Sequence, residues 1–578
     1  MKKHNFIKGA LGVVLAGGLM ACSSDYLDVK PQTSTDSSTV SASVKGARLG
    51  LYGICASMYA QWSSFQNYYS FNGESQCMFI YGDMCGQDYF SWIWAGRTST
   101  WALNWDSMTN DNAWLPLLGW IYNYTLVSET NNILEGIDNA TGDEAERDFI
   151  KAQCLTIRAH AYTRLLQIYG PRWEDSNNGQ TECIVMRLTP TTGDSPLVSM
   201  NTVLDQIYAD LDNAIALYQS SKGRRTYKWE PDLSVAQGVY TRAALLKHDY
   251  ETAQKMAASA RANYPIMSKE DYKSGFALEN SEYLWNNEGS SENVLYFAWG
   301  AWYTCNGPYP NIWGHGPGAI NYDLYRAIPD GNGDNVYKEL FFTPDKRLYP
   351  GLSSDDFWGE EYVDPVNMNM NNKAPRMTMT IAAFSRSAKP AIGTAWPNAC
   401  TPVTGESDAA GEVIVPFGAQ FKFWSTDGWG TSVFPYMRAS ELLLSEAEAA
   451  YHNGQEGTAR NLLNELLAKR IDGYTCSASG SALLDEIRLI RRIELWGEGH
   501  SWFDLKRWNL PMERRAWVAK DPTSNNIPNL YAVKKEPSAS KGWRWAIPMS
   551  ETQYNQGIHV GEKVETEPVA QRRLNMTK

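Results

Sequence analysis

The sequence has no C-x-x-C pair, and that absence removes zinc ribbons and thioredoxin-like redox sites from consideration. Glycine-rich phosphate loops and serine-nucleophile elbows are also missing, so nothing local nominates a nucleotide site or an acyl-transfer centre. Basic residues are in deficit: 52 Lys and Arg stand against 64 Asp and Glu. A chain that neutralises phosphates needs the opposite balance, which excludes nucleic acid and a basic patch for anionic lipid. No apolar run reaches the roughly 20 residues of a spanning helix.

What is present begins at the N-terminus. Lys2 and Lys3 precede the apolar run Leu11–Leu15, broken by Gly12, Gly17 and Gly18, and Leu19-Met20-Ala21-Cys22 follows. A basic start, a short apolar stretch and small residues describe an export signal. A cysteine directly after them is the pattern of a bacterial lipoprotein, against the plainer reading of a secretory signal with a chance cysteine. Residues 1–21 are therefore expected to be removed, and Cys22 to carry the lipid that holds a soluble body on a membrane. The cut takes three lysines and no acid, so the net charge falls from −12 to −15. Residues 22–44, rich in Ser, Thr and Asp, read as a lipidated tether. The remaining cysteines, at 55, 77, 85, 154, 183, 305, 400 and 476, are too scattered for a disulfide scaffold and are expected to be mostly buried thiols.

Residues 45–578 read as one mainly α-helical domain. Ile150, Cys154, Ile157, Ala161, Leu165 and Ile168 step by three or four, as do Leu204, Ile207, Leu211, Ile215 and Tyr218; each set marks one helix face. Two helix pairs follow, 233–246 with 250–262 and 439–451 with 458–469, with alanines where the helices would touch. Such hairpins, expected within about 147–262 and 438–508, have the form of degenerate tetratricopeptide repeats. Between them, residues 265–437 carry many Pro, Gly and Asn and little sustained period, which predicts loops with short strands. Loops fixed on a helical scaffold are where binding groups tend to sit.

The segment from Ile487 through Glu494, Trp496, His500, Trp502, Phe503, Asp504 and Arg507 to Trp508 resembles the most characteristic motif of the SusD/RagB family. Other pieces agree in order. Cys22-Ser-Ser-Asp25-Tyr26-Leu27-Asp28 resembles its lipidated start, and Trp120-Ile-Tyr122 with Asn131-Asn132-Ile133-Leu134 its early helix. Arg158-Ala-His-Ala-Tyr162 leading to Tyr169-Gly170-Pro171, then Asp345-Lys346-Arg347-Leu348 and Trp545-Ala-Ile547-Pro548, complete the series. One departure is Pro171-Arg172-Trp173-Glu174, where the family usually runs on with an apolar-proline stretch. The resemblance implies four tetratricopeptide-like helix pairs packed against an irregular ligand-binding half, displayed on the outer face of the outer membrane. It also implies a partner, a TonB-dependent transporter of the SusC type over which the protein sits as a hinged lid. The implied cargo is an oligosaccharide or polysaccharide, with peptide taken by some relatives, and no cofactor.

The ionisable residues Glu494, Glu498, His500 and Asp504 invite a catalytic reading, but the structural one fits better: Glu494, Arg491, Arg507 and Asp504 can pair within and between helices. A glycosidase needs two carboxylates held about 5–9.5 Å apart across a sugar, and no local motif nominates a pair. The aromatic clusters point to binding instead. Asp88, Tyr89, Trp92, Trp94, Arg97 and Trp101 form one, with Asn104 and Trp105 beyond. Trp299, Trp302, Tyr303, Asn306, Tyr309 and Trp313 form the other, with Asn311 between them. Indole and phenol rings stack on the apolar face of a pyranose, while Asp, Asn and Arg meet its hydroxyls. The bland alternative is that half or more of these rings are core. Asp330, Asn332 and Asp334 alternate as in a calcium loop, but Phe341 stands where its closing Glu belongs, and a plain turn fits better. Two other functions compete with glycan capture: a protein-binding adaptor built on the repeat-like hairpins, and a lipid-anchored glycosidase.

Overall fold

The computed structural model describes residues 41–59, 73–90, 108, 110–191, 193–274, 276, 278–287, 319–341, 376–380, 412–416, 418, 420, 422–423, 433–518, 521–527, 531–537 and 543–558. Helices dominate them, as the periodicity predicts. They run α1 (Val44–Tyr59), α2 (Trp114–Gly136), α3 (Glu144–Tyr169), α4 (Met200–Ser221), α5 (Leu233–Lys247) and α6 (Tyr250–Arg261). Beyond the loop-rich stretch come α7 (Ala439–His452), α8 (Glu456–Leu467), α9 (Ser481–Glu494) and the short α10 (Ser501–Arg507). Asp143, Ser199, Asp232 and Asp249 each accept a hydrogen bond from the third N–H beyond them, so α3 to α6 all start on a side-chain cap.

Each of α2 to α6 packs on the next, and α6 packs on α7 although residues 262–438 separate them in the chain. Small side chains allow that approach: Ala244, Ala253 and Ala449 meet at the junction. Polar contacts at its edge join the two hairpins. Arg261 binds Glu446 at 2.7 Å, and the Tyr250 and His452 rings stack with centroids 4.0 Å apart. The loop-rich stretch is thus an excursion from a continuous helical array.

Its two ends meet. Among the described residues the strands form five two-stranded antiparallel ladders: β1 (Tyr89–Phe90) with β5 (Ala319–Ile320), β2 (Glu182–Val185) with β3 (Leu197–Ser199), β4 (Tyr283–Asn286) with β8 (Pro435–Arg438), β6 (Arg376–Thr380) with β7 (Glu412–Pro416), and β9 (Met512–Arg514) with β10 (Val533–Lys535). The β4–β8 ladder closes the base of the excursion, and the Asn287 N–H extends it by donating to the Phe434 carbonyl at 3.1 Å. Cys55, Cys77, Cys85, Cys154, Cys183 and Cys476 are buried free thiols, as their spacing predicts; Cys22, Cys305 and Cys400 lie outside the described residues. No helix among the described residues is long and apolar enough to cross a membrane.

Candidate functional site

The motif spanning Ile487–Trp508 is internal machinery. After α9 the chain turns at Gly497 and Gly499, both with positive φ, and enters α10. This turn approaches the π-helical segment Met78–Met84 so closely that a Cβ on Gly82 would lie 2.0 Å from the Gly499 carbonyl oxygen. Glu494 closes α9 on a fully buried ion cluster. Its carboxylate meets the Arg438 guanidinium at 2.6 Å and that of Arg470 at 2.9 Å, and the Tyr337 hydroxyl donates to it at 2.7 Å. Arg438 also binds Glu282 at 2.9 Å and Glu498 at 2.6 Å, while the Lys422 ammonium sits 2.5 Å from Glu498.

Three acids therefore face three bases at nearly zero exposure. Burial alone would raise the Glu494 pKa, but Arg470 and Arg438 hold it well below the usual carboxylate range. Burial draws Lys422 down to about 8. Asp504 pairs with Arg491 at 2.7 Å and Arg507 at 2.8 Å, as the sequence suggested, and Trp508 donates its indole N–H to Glu448 at 2.8 Å. His500 is buried, and desolvation pulls its pKa well below the usual imidazole value. Every ionisable group that invited a catalytic reading is engaged within the core.

One arm of this core reaches Asp88. Arg492 grips the Asp88 carboxylate through two nitrogens at 2.5 and 3.0 Å, and the Ser501 hydroxyl donates to it at 2.9 Å. The Trp496 indole N–H and the Asn321 backbone N–H both donate to the Asp88 carbonyl, at 2.8 and 2.9 Å. Asp88 is 2 % exposed and Tyr89 1 %, the latter packed edge-on against Phe79. Both were candidates for sugar contact, and the structure places both in the core. Their place beside the aromatic run suggested a ligand contact; burial by residues some 400 positions later in the chain decides otherwise.

The anchor matters for position. Phe90 is the last described residue before the run holding Trp92, Trp94, Arg97 and Trp101, and Ala319 is the first after the run holding Trp299, Trp302, Tyr303, Asn306, Tyr309 and Trp313. These ten residues lie outside the described residues. Their flanking strands pair directly, Tyr89 opposite Ile320 and Phe90 opposite Ala319. Two aromatic segments remote in sequence thus have hydrogen-bonded roots. Further bonds fix the joint: the Asn526 amide donates to the Ile320 carbonyl at 2.9 Å, and the Asn321 amide to the Gln87 carbonyl at 2.8 Å. Arg492, Ser501, Asn321 and Asn526 have no sequence signature for this work, since they reach the joint from separate segments far along the chain.

Asp83, on the same π-helical segment, is an uncompensated buried carboxyl. Burial pushes it up to about 8, although the Gly499 N–H donates to it at 2.7 Å. Its folded pKa exceeds the unfolded value of about 4. Its contribution is therefore full below pH 4 and lost as pH rises toward 8. Asp83→Asn should accordingly stabilise the protein at pH 9 relative to its effect at pH 5, read as the shift in urea midpoint; an equal shift at both values would contradict this.

The Asp330–Asn335 turn docks on the loop around Asp472. Asp330 pairs with Lys338, the Asn332 N–H donates to the Asp472 carbonyl at 2.8 Å, and the Asp334 N–H to the Asp472 carboxylate at 3.2 Å. Asp472 in turn pairs with Lys269. Among the described residues no three acidic, His or Cys side chains gather as metal ligands.

Comparison with known proteins places these features. The model of the SusD family matches residues 281–567, and that of a family described as starch-binding and associating with the outer membrane matches residues 25–245. A SusD-like carbohydrate binding protein of Bacteroides vulgatus aligns with a TM-score of 0.66 and 21 % identity, over 92 % of this chain and 99 % of its own. A SusD superfamily protein of Bacteroides thetaiotaomicron aligns at 0.62 and 19 %, over 90 % and 100 %. One of Bacteroides fragilis aligns at 0.60 and 17 %, over 90 % and 100 %. No curated protein sequence matches the chain.

Proposed function

Since this chain belongs to the SusD family of sugar-binding proteins associated with the outer membrane, we propose that it captures a polysaccharide at the cell surface without cleaving it. The observation that carries this reading is the β1–β5 ladder, which gives the segments with Trp92 and Trp94 and with Trp299 and Trp302 a common root. A glycan spanning both would stack on several rings at once. Each stack adds about 0.5–1.5 kcal/mol beyond burial, so useful affinity requires such a sum.

No bond needs to break in this scheme. Glu494, Glu498 and Asp504 of the Trp496 motif are taken up by internal ion pairs, which supports a binding role over a catalytic one. The lipid on Cys22 holds the protein at the membrane, where it opens and closes over a SusC-like TonB-dependent transporter. One acyl chain binds only with K of order 10⁴ M⁻¹, so either further chains or the transporter must secure it.

Calorimetric titration of the mature chain against soluble starch, xylan, mannan and polygalacturonate tests the proposal, with chromatography of the bound glycan afterwards. Binding to one of them with the glycan recovered intact is the expected result. Released oligosaccharides would favour the glycosidase; tight protein binding with no glycan bound would favour the adaptor.

A further inference from the structure

The connection from α4 to α5, Lys222–Asp232, holds an aromatic surface that no motif nominates. Its fold is set by Glu230, buried at 1 % exposure, whose carboxylate accepts from the Thr226 and Tyr227 N–H groups at 3.1 and 3.2 Å and from Arg48 at 3.0 Å. On this frame the Tyr227 ring lies flat on Trp229, with centroids 4.8 Å apart and planes 10° from parallel. Trp229 is itself held from the side by Tyr52, at 5.1 Å and 77°, and its carbonyl accepts the Trp285 indole N–H at 3.0 Å.

Tyr227 is nonetheless 49 % exposed, and its hydroxyl makes no hydrogen bond among the described residues. Tyr554 is also exposed, but no described ring backs it. A phenol ring fixed on one face and bare on the other has already lost the rotamer freedom that stacking would otherwise cost. Exposed Arg224 and Thr226 flank it with hydrogen-bond donors.

The platform is joined to β4. The Lys228 carbonyl accepts the Asn286 N–H at 3.3 Å, and Asn286 ends β4, the strand that leads into the segment holding Trp299 and Trp302. We infer that Tyr227, backed by Trp229, is an outlying stacking subsite that takes one pyranose ring of the captured glycan chain. This rests on the glycan-capture reading and extends it. A chain reaching from the β4 root to Tyr227 would gain one more stacked ring and hydroxyl contacts to Arg224.

The test is titration of the mature full chain with the same four polysaccharides, comparing the unaltered protein with Tyr227→Ala and Tyr227→Phe. Tyr227→Ala should weaken the polysaccharide that binds by about three- to tenfold at an unchanged melting temperature, while Tyr227→Phe keeps most of the affinity. Tyr554→Ala, at a more exposed tyrosine without a described backing ring, should change nothing. Unaltered affinity in Tyr227→Ala, with the parent protein binding normally, would overturn the subsite alone. A parent that binds none of the four would overturn the capture reading and the subsite with it.

Discussion

Glu494→Ala should remove about 3–5 kcal/mol of stability, the largest single effect expected in this molecule. The substitution leaves Arg438 and Arg470 facing an emptied site in a cluster at nearly zero exposure, with Lys422 adding a third positive charge. Two acids then oppose three bases where water cannot screen them, and the Tyr337 hydroxyl loses its acceptor. Against a total of about 5–15 kcal/mol for a folded domain, this removes a large part of the margin that keeps the chain folded. Urea denaturation reads this directly, and a loss under about 1 kcal/mol would show that the cluster is not held as described. Acid should act by the same route. Arg507 and its neighbours hold Glu448 down to about 2, and His160 and Arg164 hold Glu74 there, both against the upward push of burial. Groups with depressed folded pKa stabilise above the unfolded value near 4.3 and lose that contribution as pH falls. Stability should therefore drop between about pH 5 and pH 2, opposite in sense to the Asp83 effect.

Asp88→Ala is the second large effect, at about 2–4 kcal/mol, because it strands the Arg492 guanidinium and the Ser501 hydroxyl that it now satisfies. It should also loosen the β1–β5 ladder and so weaken glycan binding. Asp88→Asn separates the two roles this residue has been given. An anchor loses melting temperature in the absence of any sugar, since the amide cannot match a charged partner for Arg492. A sugar ligand would lose affinity at an unchanged melting temperature, and that outcome would reverse the assignment made here.

Which parts of this were readable from residue order follows from how local each cause is. The helices from Glu144 to Arg261 declared themselves because burial repeats every three or four residues, and the paired hairpins because alanines mark where backbones meet. The pairing of Asp504 with Arg491 and Arg507 was legible for the same reason, being a matter of turns within adjoining helices. The burial of Asp88 was not legible because its partners, Arg492, Trp496 and Ser501, come from the far end of the chain. No local pattern distinguishes an aspartate that will be buried from one that will meet a ligand. A two-residue strand such as β1 has no period to detect, so its pairing with β5 was invisible too. The Tyr227 platform escaped notice since it needs only two aromatics, in a loop where composition signals nothing.

The central claim is that two aromatic segments with a shared root act as one glycan platform. Its most direct test is a double-mutant cycle in which Trp94→Ala, Trp302→Ala and the pair are titrated with the bound polysaccharide. The account predicts that each single change weakens binding several-fold and that the pair abolishes it, at melting temperatures close to the parent's. Parental affinity in the doubly substituted protein would contradict it.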